Sequence, residues 1–161
     1  MCIRDSTSIA SIEKAKEIFQ LSGSSIVTVN KEIDGFILNR LQGALLNEAM
    51  RLYSEGYASS EDIDATIKDG LGLRWAFMGP FETIDLNAPG GINDYMARYS
   101  SIFIEMAKTQ TKIPDWSENA GKKLELERRK VLSEDDLEKR AKKRNFLLKQ
   151  LRRLKIENDE A

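Results

Sequence analysis

The stretch Gly35-Phe-Ile-Leu-Asn-Arg-Leu-Gln-Gly-Ala-Leu-Leu-Asn-Glu-Ala-Met-Arg-Leu-Tyr-Ser54 decides the fold. Its apolar residues, from Phe36, Ile37 and Leu38 through Leu41, Ala44, Leu45 and Leu46 to Ala49, Met50 and Leu52, cover far more than one helical stripe. A helix apolar on most sides buries itself among other helices. A long core helix is therefore expected over Phe36–Ser54, in a chain that is mainly α from there onward. Asn39 is the exception on that helix, a polar amide among apolar neighbours. A buried amide without a partner costs on the order of 1–3 kcal/mol, so it needs neighbouring backbone or a ligand.

Toward the N-terminus the pattern is different. Thr7 or Ser8 is a suitable N-cap for a helix to about Leu21, with Ile12, Ala15, Ile18 and Phe19 on one face. Gly23 is placed to end it. Ser25-Ile-Val-Thr-Val29 is β-branched and reads as a single strand. A lone strand exposes unpaired backbone groups, so it is expected to join another copy or a sheet whose other strands are missing. Helix then strand at this end looks like the tail of a parallel α/β domain. The leader Met-Cys-Ile-Arg-Asp-Ser (1–6) fits none of this.

Downstream, Ser59 or Ser60 opens a helix with acids behind it in a capping pattern, ending at Gly70. Gly70-Leu-Gly-Leu-Arg-Trp-Ala-Phe-Met-Gly79 reads as a glycine-rich turn region. Pro80 stands where a first helical residue would be, and a short helix follows to about Leu86. Further helices are expected over about 92–108, 117–130 and 133–156. The stretch Lys139–Lys155 is rich in Lys and Arg and free of acids. Nucleic-acid binding is one reading of it. A solvated helix face is the preferred one, because Leu137, Ala141, Leu147 or Leu148, Leu151 and Leu154 form an apolar seam that docks the helix.

Composition narrows the chemistry. The 161 residues carry 25 Lys and Arg against 26 Asp and Glu, a formal net charge of -1, so no overall field draws the chain to nucleic acid or an anionic membrane. There is one cysteine, Cys2, which rules out an intrachain disulfide and suits a cytoplasmic setting. No apolar run is long enough to span a bilayer. There is no histidine. The usual general base near neutral pH is absent, as is any His-based metal site.

The run Gly35-Phe-Ile-Leu-Asn39-Arg40, then Asn47-Glu-Ala-Met-Arg-Leu52, Ser60-Glu-Asp-Ile-Asp64 and Gly79-Pro-Phe-Glu82, resembles the C-terminal domain of the 3-hydroxyacyl-CoA dehydrogenase family in order and spacing. Lys31–Gln42, Gly70–Pro80 with Glu82 and Leu86-Asn-Ala88, and the tail from Ile113-Pro-Asp-Trp116 look most like the lambda-crystallin (L-gulonate 3-dehydrogenase) branch. The resemblance implies a mainly α fold, the helical C-terminal domain of such a dehydrogenase. It divides the chain into a non-native-looking leader (1–6), a remnant of a truncated NAD-binding Rossmann domain (7–30) and a helical substrate and dimerisation domain (31–161). It implies oxidation of a secondary alcohol to a ketone with hydride passing to NAD. In the family the base is a histidine held by a glutamate, and the nucleotide turn lies in the Rossmann domain. The fragment alone is thus expected to be inactive.

The resemblance matches Asn39 to the family's active-site asparagine, which orients the catalytic histidine and the reacting oxygen. Arg74 has two readings from its residue type: a loop arginine whose stem covers apolar surface, or a clamp binding a carboxylate through two parallel hydrogen bonds. A small 3-hydroxy acid carries that carboxylate, whereas a 3-hydroxyacyl-CoA thioester does not. Gly79, Pro80 and Glu82 read as structural, with the acid in the first turn suiting the helix dipole. The expected partners are a small 3-hydroxy acid or a 3-hydroxyacyl-CoA and a second copy in a homodimer, with no nucleic acid and no membrane. No cofactor-binding and no metal-binding residues are expected in these 161 positions. The alternative function is a non-catalytic helical module for structure or dimerisation.

Overall fold

The computed structural model describes residues 2–3, 7–22 and 24–159. The chain divides into two compact units, Met1–Asn47 and Glu48–Ala161.

In the first unit, α1 spans Ile9–Leu21. Ser8 caps it, its hydroxyl accepting from the Ser11 N–H at 3.3 Å. Gly23 lies outside the described residues, as does most of the leader. The α1 C-terminus closes through Ser22, whose hydroxyl donates to the Phe19 carbonyl at 2.7 Å, and through the Ser24 N–H, which reaches the same oxygen at 3.0 Å. The expected lone strand finds its partner inside the chain. β1, Cys2–Ile3, runs parallel to β2, Val27–Thr28, with Cys2 opposite Val27 and Ile3 opposite Thr28. The pairing is only two residues long, too short for period-two alternation to announce it. Val29, just past β2, is buried.

The decisive helix forms where it was expected: α2 is Phe36–Ser54. Its sides are not buried as expected. Met50 is buried, but Leu38 is 71% and Leu41 61% exposed. The reason is physical: among the described residues no other element makes more than a sparse contact with α2, so its apolar surface keeps its solvent.

In the second unit, α3 (Ser60–Ala65) begins at Ser59, which accepts from the Asp62 N–H at 3.1 Å and donates to the Asp62 carboxylate at 2.6 Å. The predicted stop at Gly70 does not occur. The chain continues through a π-turn, Thr66–Leu71, into α4, Gly72–Trp75. α5 (Pro80–Leu86) starts with Pro80 at its first position. Thr83 is buried there, its hydroxyl donating to the Gly79 carbonyl at 2.8 Å. α6 (Gly91–Thr109) packs on α5, and Asp85 caps it by accepting from the Ile92 N–H at 2.8 Å. α7 (Glu118–Val131) is capped by Ser117 and packs against α3. A 3₁₀ turn, Glu134–Asp136, leads into α8, Leu137–Asp159. The expected docked seam of α8 is largely open: Leu147 is 53% and Leu148 56% exposed.

Polar contacts hold the α3–α7 junction. The Glu127 carboxylate accepts from both the N–H and the hydroxyl of Ser60, at 2.8 and 2.9 Å. These bonds hold Glu127 below the usual carboxylate range, with a further hydrogen bond from Tyr53. Burial, and then Glu127 itself, push the Tyr53 phenol up. Arg128 reaches Asp64 at 3.2 Å across the same junction.

Candidate functional site

Asn39 sits in the first turn of α2, on an unusual backbone. Gly35 has φ +81° and Phe36 φ +49°, and the Phe36 N–H closes a turn onto the Ile33 carbonyl at 3.1 Å. A left-handed conformation at an aromatic residue costs roughly 1–2 kcal/mol, and such strain concentrates at functional positions. Gly35 is needed for its own φ, and a side chain there would also lie 3.7 Å from the Asn39 Cβ. The buried amide expected from the sequence is instead exposed. Its side chain makes no hydrogen bond among the described residues. Both amide hydrogens and the carbonyl are therefore free for an incoming group.

Arg74 lies in α4, immediately after the π-turn, and not in an irregular glycine-rich loop. The π-turn closes with the Gly72 N–H donating to the Ile67 carbonyl. Arg74 is exposed and forms no ion pair among the described residues. The carboxylate nearest to it in sequence, Asp69, is held by Lys68 at 3.1 Å. Among the described residues Arg40 and Arg140 are likewise exposed and without an ion pair, and other arginines differ. Arg51 is gripped by Glu48 and Glu55 and stands 5.8 Å over the Tyr57 ring. That grip holds Glu48 below the usual carboxylate range. Arg98 pairs with Asp94 at 2.7 Å, and that pairing lowers the Asp94 carboxyl in turn.

Asn39 belongs to the first compact unit and Arg74 to the second. Pro80 and Glu82 take the helix-starting places expected of them. Sequence reasoning missed an open apolar groove of about 560 Å³ between α5 and α6, lined by Phe81, Ile84, Tyr95, Met96 and Phe103 among others. Tyr95 is tilted against Tyr99 and stacks on Phe103 beside it, with centroids 4.8 and 6.2 Å away. The signal was present in Ile92, Tyr95, Met96 and Phe103, one helical face of α6. Among the described residues, no cluster of His, Cys, Asp and Glu could hold a metal ion, and no helix is long and apolar enough to cross a membrane.

A dinucleotide needs a glycine-rich turn between a strand and a helix N-terminus. The 161 residues contain no GxGxxG, so they do not by themselves fit NAD. What the chain offers is an exposed amide at the start of α2, an unpaired guanidinium in α4 and an apolar groove.

A model of the 3-hydroxyacyl-CoA dehydrogenase C-terminal domain matches residues 35–145. The chain is 46% identical over 111 residues to lambda-crystallin of Oryctolagus cuniculus, covering 69% of this chain and 34% of that protein. It is 44% identical over 80 residues to L-carnitine dehydrogenase of Streptomyces coelicolor, 50% of this chain and 25% of that one. It is 33% identical over 149 residues to 3-hydroxyacyl-CoA dehydrogenase of Gibberella moniliformis, 90% of this chain and 46% of that one. The chain thus spans about a third of the length of lambda-crystallin.

Proposed function

Since the chain belongs to the 3-hydroxyacyl-CoA dehydrogenase family, as its C-terminal domain, we propose that it is the substrate-side and dimer-side part of an NAD-dependent dehydrogenase of small 3-hydroxy acids. The lambda-crystallin-like branch makes L-gulonate the first substrate to try, and L-carnitine, the substrate named for one relative, the second. The observation that carries this reading is Arg74, a guanidinium that is exposed and without an ion pair among the described residues. Paired hydrogen bonds from guanidinium to carboxylate are charge-assisted and directional. A CoA thioester at the same place would leave the guanidinium without its anion.

The roles follow. Arg74 holds the carboxylate. Asn39 offers its amide to the reacting oxygen and to the base. The base, a histidine, and the dinucleotide fold belong to residues of the whole protein outside these 161, where NAD supplies the hydride acceptor. A positioned acid or base is worth about 10²–10⁴ in rate. The 161 residues alone therefore do not turn over. The whole protein is a cytoplasmic homodimer, and the open apolar faces of α2 and α6 are the surfaces a second copy or the rest of the protein covers. Those same faces favour the second reading, a non-catalytic structural module.

The test is direct. The purified chain is mixed with NAD and, in turn, L-gulonate, L-carnitine and 3-hydroxybutyryl-CoA, and NADH is followed by absorbance. No NADH is expected from any of them, and turnover of any substrate contradicts the assignment of base and cofactor to other residues. An in-frame GxGxxG turn and a His and Glu pair in the genomic sequence upstream of Thr7 is the expected companion finding; a stop codon there favours the structural module.

A further inference from the structure

We propose that Gly72 is a positioning residue for Arg74. The π-turn that Gly72 permits sets the face of the helix from which the guanidinium meets a carboxylate, and so contributes to specificity for free hydroxy acids. This rests on the reading of Arg74 as a carboxylate clamp.

α3, the π-turn and α4 form one continuous helical run from Ser60 to Trp75. In an α-helix each residue turns about 100° around the axis. A π-turn takes in about one residue more before closing its hydrogen bond. Everything after it lags by that one residue relative to α3. Arg74 consequently occupies the place that position 73 would hold in an uninterrupted α-helix. If the turn relaxed to α geometry, Arg74 would swing about 100° around the axis and Leu73 would take its place. Leu73 is an exposed isobutyl group, which has nothing to offer a carboxylate.

One residue decides between the two registers. The Gly72 N–H bonds to the Ile67 carbonyl, five residues back. A Cβ on Gly72 would lie 2.8 Å from that same backbone oxygen. Backbone cannot move aside as a side-chain tip can, so any side chain at 72 disrupts the bond that defines the turn. Gly70, by contrast, has open space where its Cβ would be. The two glycines look alike in sequence, yet only Gly72 is tied to the turn by a close approach. Single π-turns inside α-helices are frequent at functional sites, and this one ends three residues before the Arg74 guanidinium.

The experiment uses this chain and the probe 3-hydroxybutyrate, with the neutral 3-hydroxybutyramide as control. The reporter is the Arg74 side-chain Nε–H signal in nitrogen–proton NMR spectra, with helicity followed by circular dichroism. Wild type is expected to shift saturably with the acid and not with the amide. Gly72→Ala is expected to weaken the acid by about tenfold or more while the chain stays helical. Combining Gly72→Ala with deletion of Gly70 removes the surplus residue, so that plain α geometry returns Arg74 to its place. Binding should then recover to within about twofold of wild type. A purely structural role for Gly72 does not produce this loss with retained helicity and recovery by shortening.

Wild-type affinity in Gly72→Ala overturns the proposal, as does a shortened variant that is helical and still weak. If Gly72→Ala fails to fold, deletion of Gly70 alone decides, because it should bind as wild type does and weak binding contradicts the account. A wild-type chain that shows no response, or an Arg74→Ala variant that binds equally well, defeats the clamp reading itself. Failure confined to the Gly72 variants defeats only the positioning role.

Discussion

The α3 side of the α3–α7 junction and Arg74 in α4 lie on the same helical run, yet the two places treat polar groups in opposite ways. At the junction Glu127 takes both donors of Ser60, and Arg128 takes Asp64. A dozen residues along, Arg74 has no ion pair among the described residues, and its nearest acid in sequence is held by Lys68. The first arrangement spends its hydrogen bonds on joining helices. The second leaves a directional cation open beside a strained hydrogen-bond register. On the proposed function, that contrast separates residues kept for stability from a residue kept for a ligand, and each can be tested by moving the property it should not control.

The largest expected effect is on binding. Arg74→Ala should weaken a free 3-hydroxy acid by about ten- to a hundredfold, the worth of hydrogen bonds to a charged group. Its melting temperature should stay at the wild-type value, since the side chain has no internal partner. Calorimetric titration beside a thermal melt reads both; a large drop in melting temperature would place Arg74 with the structural residues. Next comes Ser59→Ala, which removes the N-cap of α3 and should cost about 1 kcal/mol of stability in denaturant unfolding. Ligand affinity should be unchanged in that variant, and a parallel loss of affinity would blur the division.

Acid should act on the junction. The carboxyl of Glu127 is lowered in the folded chain, so its stabilising contribution is present above the unfolded value of 4.5 and fades as pH falls through the folded value. Thermal melts between pH 6 and about 3 should therefore show a smaller decline for Glu127→Gln than for wild type. Identical pH profiles would mean that the Ser60 contact contributes nothing measurable. The smallest effect belongs to the surface of α8. Lys142 pairs with Glu138 across one exposed turn, and Lys142→Ala should change stability by less than about 0.5 kcal/mol.

Much of this was written in local chemistry. Thr7 or Ser8, and Ser59 or Ser60, were legible as caps because a hydroxyl before an apolar run satisfies the first free N–H groups, and Ser8 and Ser59 take those places. Pro80 was legible as a start. The branch and family followed from the setting of Asn39 and from the Gly70–Pro80 run. Three features were not legible, each for a physical reason. The two-residue pairing of Cys2–Ile3 with Val27–Thr28 is too short to impose alternation. The π-turn has no hydrophobic period of its own, and Gly70 and Gly72 read as turn residues because glycine is a weak helix former. The exposure of Asn39, of α2 and of the α8 seam depends on what else packs there, and an apolar side chain carries no mark of whether its partner lies in the same chain.

The measurement that tests the central claim most directly is a calorimetric titration of this chain with 3-hydroxybutyrate and, separately, with 3-hydroxybutyryl-CoA. The account predicts saturable binding of the free acid that Arg74→Ala abolishes, and no Arg74-dependent binding of the thioester. Equal dependence of both ligands on Arg74, or free-acid binding untouched by its loss, would contradict it.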